Sequence, residues 1–311
     1  MVAILDVVLP VFGVILAGWL CGRFRLLGEA SSEALNRFVY FVALPALFFV
    51  STARVPLAGI FNAAFLATYG GGVLAAAIPA ALICRRLWPE RPAALVLQAL
   101  AATFANTGYM GLPLLIAAFG KTAALAGVLA TVLNGAVVMA AGIALIEADL
   151  ARAAGPGRIL GDAARAVGRS PLVLSAVGGI AWSALGLPVP TPLGRFCDLL
   201  GAAAPPSALF AMGLFLAGRR IARSLPEVSL LTAVKLVGQP AATWAIGRAA
   251  GLDAAWLAWA VTLAALPTGS LVFILAQQYG IYVQRAVAVI LLSTLVSVVT
   301  LSLLFLWLGV G

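Results

Sequence analysis

Apolar runs of bilayer length alternate with short polar breaks along nearly the whole chain. A helix needs roughly 20 predominantly apolar residues to cross the hydrocarbon core. Ten segments meet that requirement: 2–22, 34–53, 61–84, 93–119, 122–147, 170–187, 196–218, 228–249, 254–279 and 284–308. The pattern predicts an all-α integral membrane protein of ten transmembrane helices. No small-residue cleavage site precedes Arg23 and further spans follow, so the first segment reads as a retained helix and not as a cleaved leader.

Two of these spans carry residues that helices tolerate poorly. Segment 93–119 contains Phe104-Ala105-Asn106-Thr107-Gly108-Tyr109-Met110-Gly111-Leu112-Pro113-Leu114, and segment 254–279 contains Leu266-Pro267-Thr268-Gly269-Ser270. Glycine and proline weaken a helix interior. In hydrocarbon an interrupted backbone survives only where protein buries it or where it lines a wet cavity, so both stretches predict a cavity at mid-membrane. Asn106-Thr107-Gly108 and Pro267-Thr268-Gly269 lie 161 residues apart, and so do Pro10 and Pro171, Pro45 and Pro206, and Pro79 and Pro240. The spacing is that of a duplicated chain, with a five-helix repeat at 1–147, a linker at 148–169 and a second repeat at 170–311. A matched pair of interrupted spans points to the substrate site of a secondary transporter. The alternative is helix packing, since glycine and proline are common in membrane helices.

Composition supports the membrane reading. Of 311 residues 64% are hydrophobic and 9% charged, with a mean hydropathy of +1.13, which leaves too little polar surface for a soluble domain. The net charge of +9 implies no nucleic-acid partner, because the basic residues fall in the loops between spans, facing membrane lipid. Loops after odd-numbered spans hold fourteen Lys and Arg against four after even-numbered spans. The positive side stays cytoplasmic, which places both termini outward, and five spans per half make the second repeat inverted. The linker, with Arg152, Arg158, Arg165 and Arg169 among Asp149 and Asp162, reads as a solvated cytoplasmic connection.

Candidate chemistry is sparse. Cys21, Cys84 and Cys197 are widely spaced and the chain has no histidine, so neither a disulfide framework nor a metal site is expected, and no cofactor is implied. No Walker sequence or nucleophile elbow occurs, which argues against ATP-driven transport within this chain and against hydrolytic chemistry. Lys235 lies about two turns into segment 228–249, roughly 10 to 12 Å from its end at the helical rise. Its ammonium either neutralises an anion or changes protonation during transport, or it snorkels to the surface. Asp6 and Asp198, near the outward ends of their spans, are weaker charge candidates.

Leu9-Pro10-Val11-Phe12-Gly13, Ala43-Leu44-Pro45-Ala46-Leu47-Phe48, Asn106 to Leu114 and Ala204-Pro205-Pro206-Ser207-Ala208-Leu209-Phe210-Ala211-Met212-Gly213 together resemble the auxin efflux carrier family. The likeness spans the chain and is greatest to short bacterial members, including malonate transporter-like permeases. It implies the fold of bile acid symporters and sodium/proton antiporters: a scaffold from spans 1, 2, 6 and 7, a transport domain from the others, and spans 4 and 9 crossing at their breaks. It further implies a homodimer through the scaffold, in a bacterial cytoplasmic (inner) membrane. Asn106 matches the asparagine of the fourth-span signature, and Asn134 an asparagine that lines the substrate pocket in plant relatives. Pro113 and Pro267 then fall at or near the two breaks; the ninth span has no asparagine.

The candidate substrate-binding set is therefore Asn106, Thr107, Gly108, Pro113, Asn134, Pro267, Thr268, Gly269 and Ser270, with Lys235 and Asp198 as charge or coupling candidates. Asparagine amides donate two hydrogen bonds each, and exposed N–H groups at half-helix N-termini add partial positive charge. For Asn134 an interhelical hydrogen bond is the competing role. Neither break carries a carboxylate, which disfavours cation exchange. The expectation is a secondary transporter that carries a small organic anion, such as malonate, malate or an auxin-like acid, by elevator-type alternating access. A sodium-coupled symporter of the same fold, a channel-like pore and a non-transporting sensor are the rivals.

Overall fold

A computed structural model describes residues 2–54, 62–151, 168–169, 171–217 and 224–310. Among these residues every regular element is helical: α1 (Val2–Arg23), α2 (Ala30–Ala53), α3 (Ala63–Leu87), α4 (Pro92–Thr103), α5 (107–119), α6 (Ala124–Ala151), α7 (Pro171–Ala184), α8 (Thr191–Leu216), α9 (225–249), α10 (Ala254–Ala264), α11 (Leu271–Tyr279) and α12 (Val283–Leu308). Five of them, α2, α3, α6, α8 and α12, are 24 to 28 residues long and apolar enough to cross a membrane. The expected spans 93–119 and 254–279 each divide, into α4 with α5 and α10 with α11.

Element ends depart from the hydropathy reading where a side chain holds a polar end in place. Helix α6 runs on through 148–151, which the sequence assigned to the linker, because Asp149 accepts hydrogen bonds from the Ala93 N–H in the first turn of α4 and from Arg91 Nε. Residues 152–167 of the expected linker lie outside the described residues. Helix α9 starts at Leu225, ahead of the expected 228, with Pro226 in its first turn, where the missing N–H costs nothing.

Four π turns interrupt the helices: Val39–Ala43 in α2, Thr107–Gly111 opening α5, Leu133–Val138 in α6 and Val234–Gly238 in α9. Three have a common cause. Pro45, Pro113 and Pro240 each stand two residues beyond the turn. Proline has no N–H and its ring clashes with the carbonyl four residues back, so the turn before it widens and the next N–H reaches the fifth residue back. Leu44, Leu112 and Gln239 make those longer bonds, to Val39, Thr107 and Val234.

Helices approach closely where glycine removes a side chain. Gly18 of α1 lies on the Phe210 backbone of α8, and Gly213 of α8 on the backbone of Ile15 and Trp19 of α1. Gly179 of α7 meets Phe49 and Thr52 of α2, and Gly201 of α8 meets Leu47. Small residues at such crossings let dispersion and backbone contact replace the hydrophobic drive that lipid does not supply. Helices α1, α2, α7 and α8 therefore pack on one another, while α3 lies against α9 through Gly72 and Gly247.

Gly213→Val drives two methyl groups into the α1 backbone and is expected to destabilise the protein by about 1–3 kcal/mol, the usual range for overpacking. Thermal unfolding in detergent should show a Tm several degrees lower than that of Gly13→Val, whose added atoms meet open space.

Candidate functional site

The two interruptions lie against each other. Phe104 to Asn106 and Pro267 to Gly269 run antiparallel and form an isolated bridge between Ala105 and Thr268. The Asn106 N–H donates to the Pro267 carbonyl (2.9 Å) and the Gly269 N–H to the Phe104 carbonyl (2.8 Å). An antiparallel pair normally exchanges two bonds between residues directly opposite. Pro267 has no N–H to return, and the Asn106 carbonyl instead accepts from Met110 and Gly111 (3.2 and 3.1 Å), winding the π turn that starts α5. The break is thus at 104–106, not at Pro113, which stands in the first turn of the restarted α-helix, a position proline accepts readily. The Pro113 side chain lies outside the described residues.

Beside the bridge is a cavity of about 30 Å³ lined by Asn106, Thr107, Gly108, Asn134, Gly269 and Ser270 of the expected set. Leu47 and Phe48 of α2 and Thr131 of α6 complete its walls. At ~10–15 Å³ of this measure per water it holds two or three waters. Asn134 Nδ2 donates to Tyr69 Oη (3.1 Å) and lies 3.4 Å from both the Ala105 carbonyl and Thr107 Oγ1. Thr131 Oγ1 and Thr107 Oγ1 are 3.1 Å apart. The Asn134 Oδ1 and Ser270 Oγ atoms are buried without a partner. An unpaired buried polar atom costs about 1–3 kcal/mol. Such atoms are what a ligand or trapped water would satisfy.

Other expected residues stand behind the cavity. Thr268 is fully buried but its hydroxyl donates to the Ala101 carbonyl (2.6 Å), and its N–H to Ser293 Oγ (3.1 Å), so it braces the bridge and does not face the cavity. Pro267 contributes its carbonyl to the bridge and is not in the cavity wall. Lys235 does not snorkel: it is fully buried, its Nζ donating to the Ala264 carbonyl at the end of α10 (2.6 Å) and to Gln239 Oε1 (2.7 Å). Asp198 is half-exposed and paired in two bonds with Arg54 (2.7 and 2.8 Å), which commits it to a surface ion pair away from the cavity. The Asp6 side chain lies outside the described residues.

The electrostatics follow from this arrangement. A helix end carries the equivalent of about half a charge, positive at the N-terminus and negative at the C-terminus. Gly108 in the first turn of α5 and Ser270 and Leu271 at the start of α11 border the cavity, so two positive poles open on it. The negative poles are covered: Thr268 and Gly269 donate to Ala101 and Phe104 at the end of α4, and Lys235 covers the end of α10. No carboxylate is among the lining residues. The site is suited to a small anion.

One buried acid escaped the sequence reading. Glu227, fully buried in the first turn of α9, accepts from Gln98 Nε2 (2.7 Å), Tyr282 Oη (2.6 Å) and Arg285 (3.1 Å), tying α4, α9 and α12 together. Burial first, and then the hydrogen bond to Glu227, push the Tyr282 phenol pKa upward, so it stays a donor. Beginning the eighth span at 228 left Glu227 in a loop; Gln98, an amide amid apolar residues, was the available signal.

The chain matches the family described as "Membrane transport protein" over residues 3–155 and 156–305. It is 37% identical over 309 residues to a Rhizobium meliloti (strain 1021) protein named "Putative malonate transporter", covering 97% of this chain and 95% of the relative. It is 26% identical over 298 residues to the "Uncharacterized transporter YfdV" of Escherichia coli (strain K12), covering 95% and 94%. To auxin efflux carrier component 1 of Arabidopsis thaliana it is 27% identical over 147 residues, 45% of this chain and 24% of that one. Helices of membrane-crossing length and these matches together define a multi-pass membrane transporter, in a family of transporters and not of enzymes. The chain belongs to the auxin efflux carrier family.

Pro267→Ala supplies the N–H that the bridge lacks, facing the Asn106 carbonyl, and Gly269→Ala presses a methyl group on Phe104 at about 3.1 Å. The double variant is expected to have a Tm unchanged or a few degrees lower, since the added methyl crowds Phe104 and losing the proline frees the unfolded chain. Its rate of labelled malonate uptake in liposomes should fall at least tenfold.

Proposed function

We propose that the chain is a secondary transporter of a small organic anion, a carboxylate of the malonate or malate kind or an auxin-like acid. The observation that carries this reading is the pair of open helix N-termini at a polar cavity whose opposing helix C-termini are covered, one of them by the buried Lys235 Nζ. Two positive poles without a counter-carboxylate favour anions and repel sodium and protons. The name of the Rhizobium meliloti relative makes malonate the first substrate to test.

Ten crossings follow in this reading if α4 with α5, and α10 with α11, each make one. Helices α1, α2, α7 and α8 are the scaffold, which also forms a homodimer, and the others are the transport domain. What supports the division is the mutual packing of α1, α2, α7 and α8, and a cavity with one wall, Leu47 and Phe48, from α2 and the rest from the breaks and α6. A cavity of about 30 Å³ is too small for a dicarboxylate, so solute entry requires the breaks to move relative to that wall, as alternating access of the elevator type supplies. The two bridged residues Asn106 and Pro267 are separated by the same 161 positions as the repeat, which supports an inverted duplication centred on the bridge.

Purified protein in liposomes should show saturable uptake of labelled malonate, with malate and indole-3-acetate as comparisons under imposed proton, sodium and voltage gradients. Asn106→Ala should abolish that uptake while expression and Tm change little, because an amide at a cavity is lost without a large packing change. Absence of saturable uptake of any of the three by the wild type would sink the carrier reading, and normal flux in Asn106→Ala would remove Asn106 from the site.

The basic loops give the orientation of this reading, in a bacterial inner membrane with both termini outward. In a background lacking Cys21, Cys84 and Cys197, a cysteine at Ala154 should be protected from an impermeant reagent in whole cells and a cysteine near either terminus labelled. Outside labelling of position 154 would invert the topology.

A further inference from the structure

A second polar chamber lies on the same seam as the break cavity. Helix α11 contacts the first part of α2, Glu29–Phe38. Leu47, Phe48 and Leu271 of this seam wall the break cavity, while Glu33, Asn36, Arg37, Phe41, Gln277 and Gln278 wall a chamber of about 460 Å³ toward its other end. Eleven residues of α2 separate Asn36 from Leu47, so the two lie ~16 Å apart at the helical rise. The chamber is many times larger than the break cavity, and of the two it alone has room for a dicarboxylate.

Its polar groups are unspent. Asn36 is 5% exposed, yet neither its Nδ2 nor its Oδ1 has a partner, and Gln277 Oε1 is likewise buried and unpaired. Burying both atoms of an amide without a partner is costly. A helix that needed Asn36 only for packing would do better with leucine. The charged groups are poised differently. Arg37 and Glu33 form an i,i+4 pair at 2.8 Å, with side chains 70% and 57% exposed, so the arginine is held by a weak, readily exchanged contact. Arginine binds a carboxylate with two parallel bonds, and Glu33 fills the place that an arriving carboxylate would take.

We propose that this chamber is an entry site for small dicarboxylates, in which the solute displaces Glu33 from Arg37 and hydrogen-bonds the Asn36 amide before passing along the α2–α11 seam to the break cavity. The proposal rests on the organic-anion reading above. With the orientation given by the basic loops, the chamber opens to the cytoplasm.

The test is malonate binding to the full-length protein by calorimetry, together with malonate uptake kinetics in liposomes, for wild type, Arg37→Gln, Glu33→Gln and Asn36→Leu. Arg37→Gln should raise Kd and KM about tenfold with Vmax changed less than twofold, and Asn36→Leu should raise both severalfold. Glu33→Gln removes the competing carboxylate and should lower both severalfold. A merely structural ion pair would respond alike to loss of either partner, so opposite signs are the signature, and the two exposed positions carry the test if Asn36→Leu fails to fold. Asn106→Ala should lose uptake yet still bind malonate in the chamber. Wild-type uptake with unchanged Kd and KM in both Arg37→Gln and Glu33→Gln would overturn the entry site and leave the transporter reading standing. Wild-type protein that neither binds nor carries malonate would overturn both for this class of solute.

Discussion

Two backbone hydrogen bonds across one short antiparallel bridge set the terms for the rest of the molecule. A membrane helix satisfies its peptide groups internally, and each interruption exposes groups that hydrocarbon cannot satisfy. Placing Phe104 to Asn106 against Pro267 to Gly269 lets the interruptions satisfy each other. Everything near the bridge completes that accounting: Thr268 reaches back to Ala101, Ser293 accepts from the Thr268 N–H, and Asn134 approaches the Ala105 carbonyl. The breaks can exist only as a pair, which makes the long-range contact a condition of the fold as well as of the site.

Once the bridge is formed, the charge at the centre follows from which helix ends are covered. Negative ends receive donors, one of them the fully buried Lys235 Nζ. A fully buried polar group is tolerable only with close partners, and the Lys235 Nζ has a helix end and an amide oxygen. Glu227 is treated in the same manner at the edge of the bundle, with three donors around one carboxylate. Glu227 thereby joins helices far apart in sequence, whereas Lys235 ties α9 to the next helix, α10. Removing a donor from Glu227 would leave its carboxylate underpaired inside the protein, a loss larger than that of most apolar contacts.

Much of this was legible in the chain itself. Long apolar periods announced the helices, because lipid demands length and apolarity with little regard to detail, and the Asn-Thr-Gly and Pro-Thr-Gly stretches announced the interruptions. What the sequence could not convey was direction. Thr268 sits in the same motif as Gly269 and Ser270 yet turns its hydroxyl to a helix behind the bridge, a matter of tertiary geometry. Lys235 was legible as an unusual residue, but its destination depends on where α10 stops. Glu227 was hidden because proline and polar residues near a span end read as loop, whereas the helix extends through it, and Asn36, inside the expected span 34–53, is set apart only by its burial in the tertiary structure.

The π turns in α2, α6 and α9 have a meaning for how chain length varies among related proteins. A π turn holds one residue more than an α turn while leaving the helical faces before and after it in place. Dropping one residue from Val39–Ala43, Leu133–Val138 or Val234–Gly238 closes the turn to ordinary α geometry and keeps Leu47, Met139 or Thr243 on its present face. A deletion elsewhere in these helices would rotate every following side chain by about 100°. Single-residue gaps between homologous chains therefore belong at these turns, and superposing Met139 or Thr243 on a relative by counting from the helix start misplaces them by one position wherever the relative lacks the extra residue.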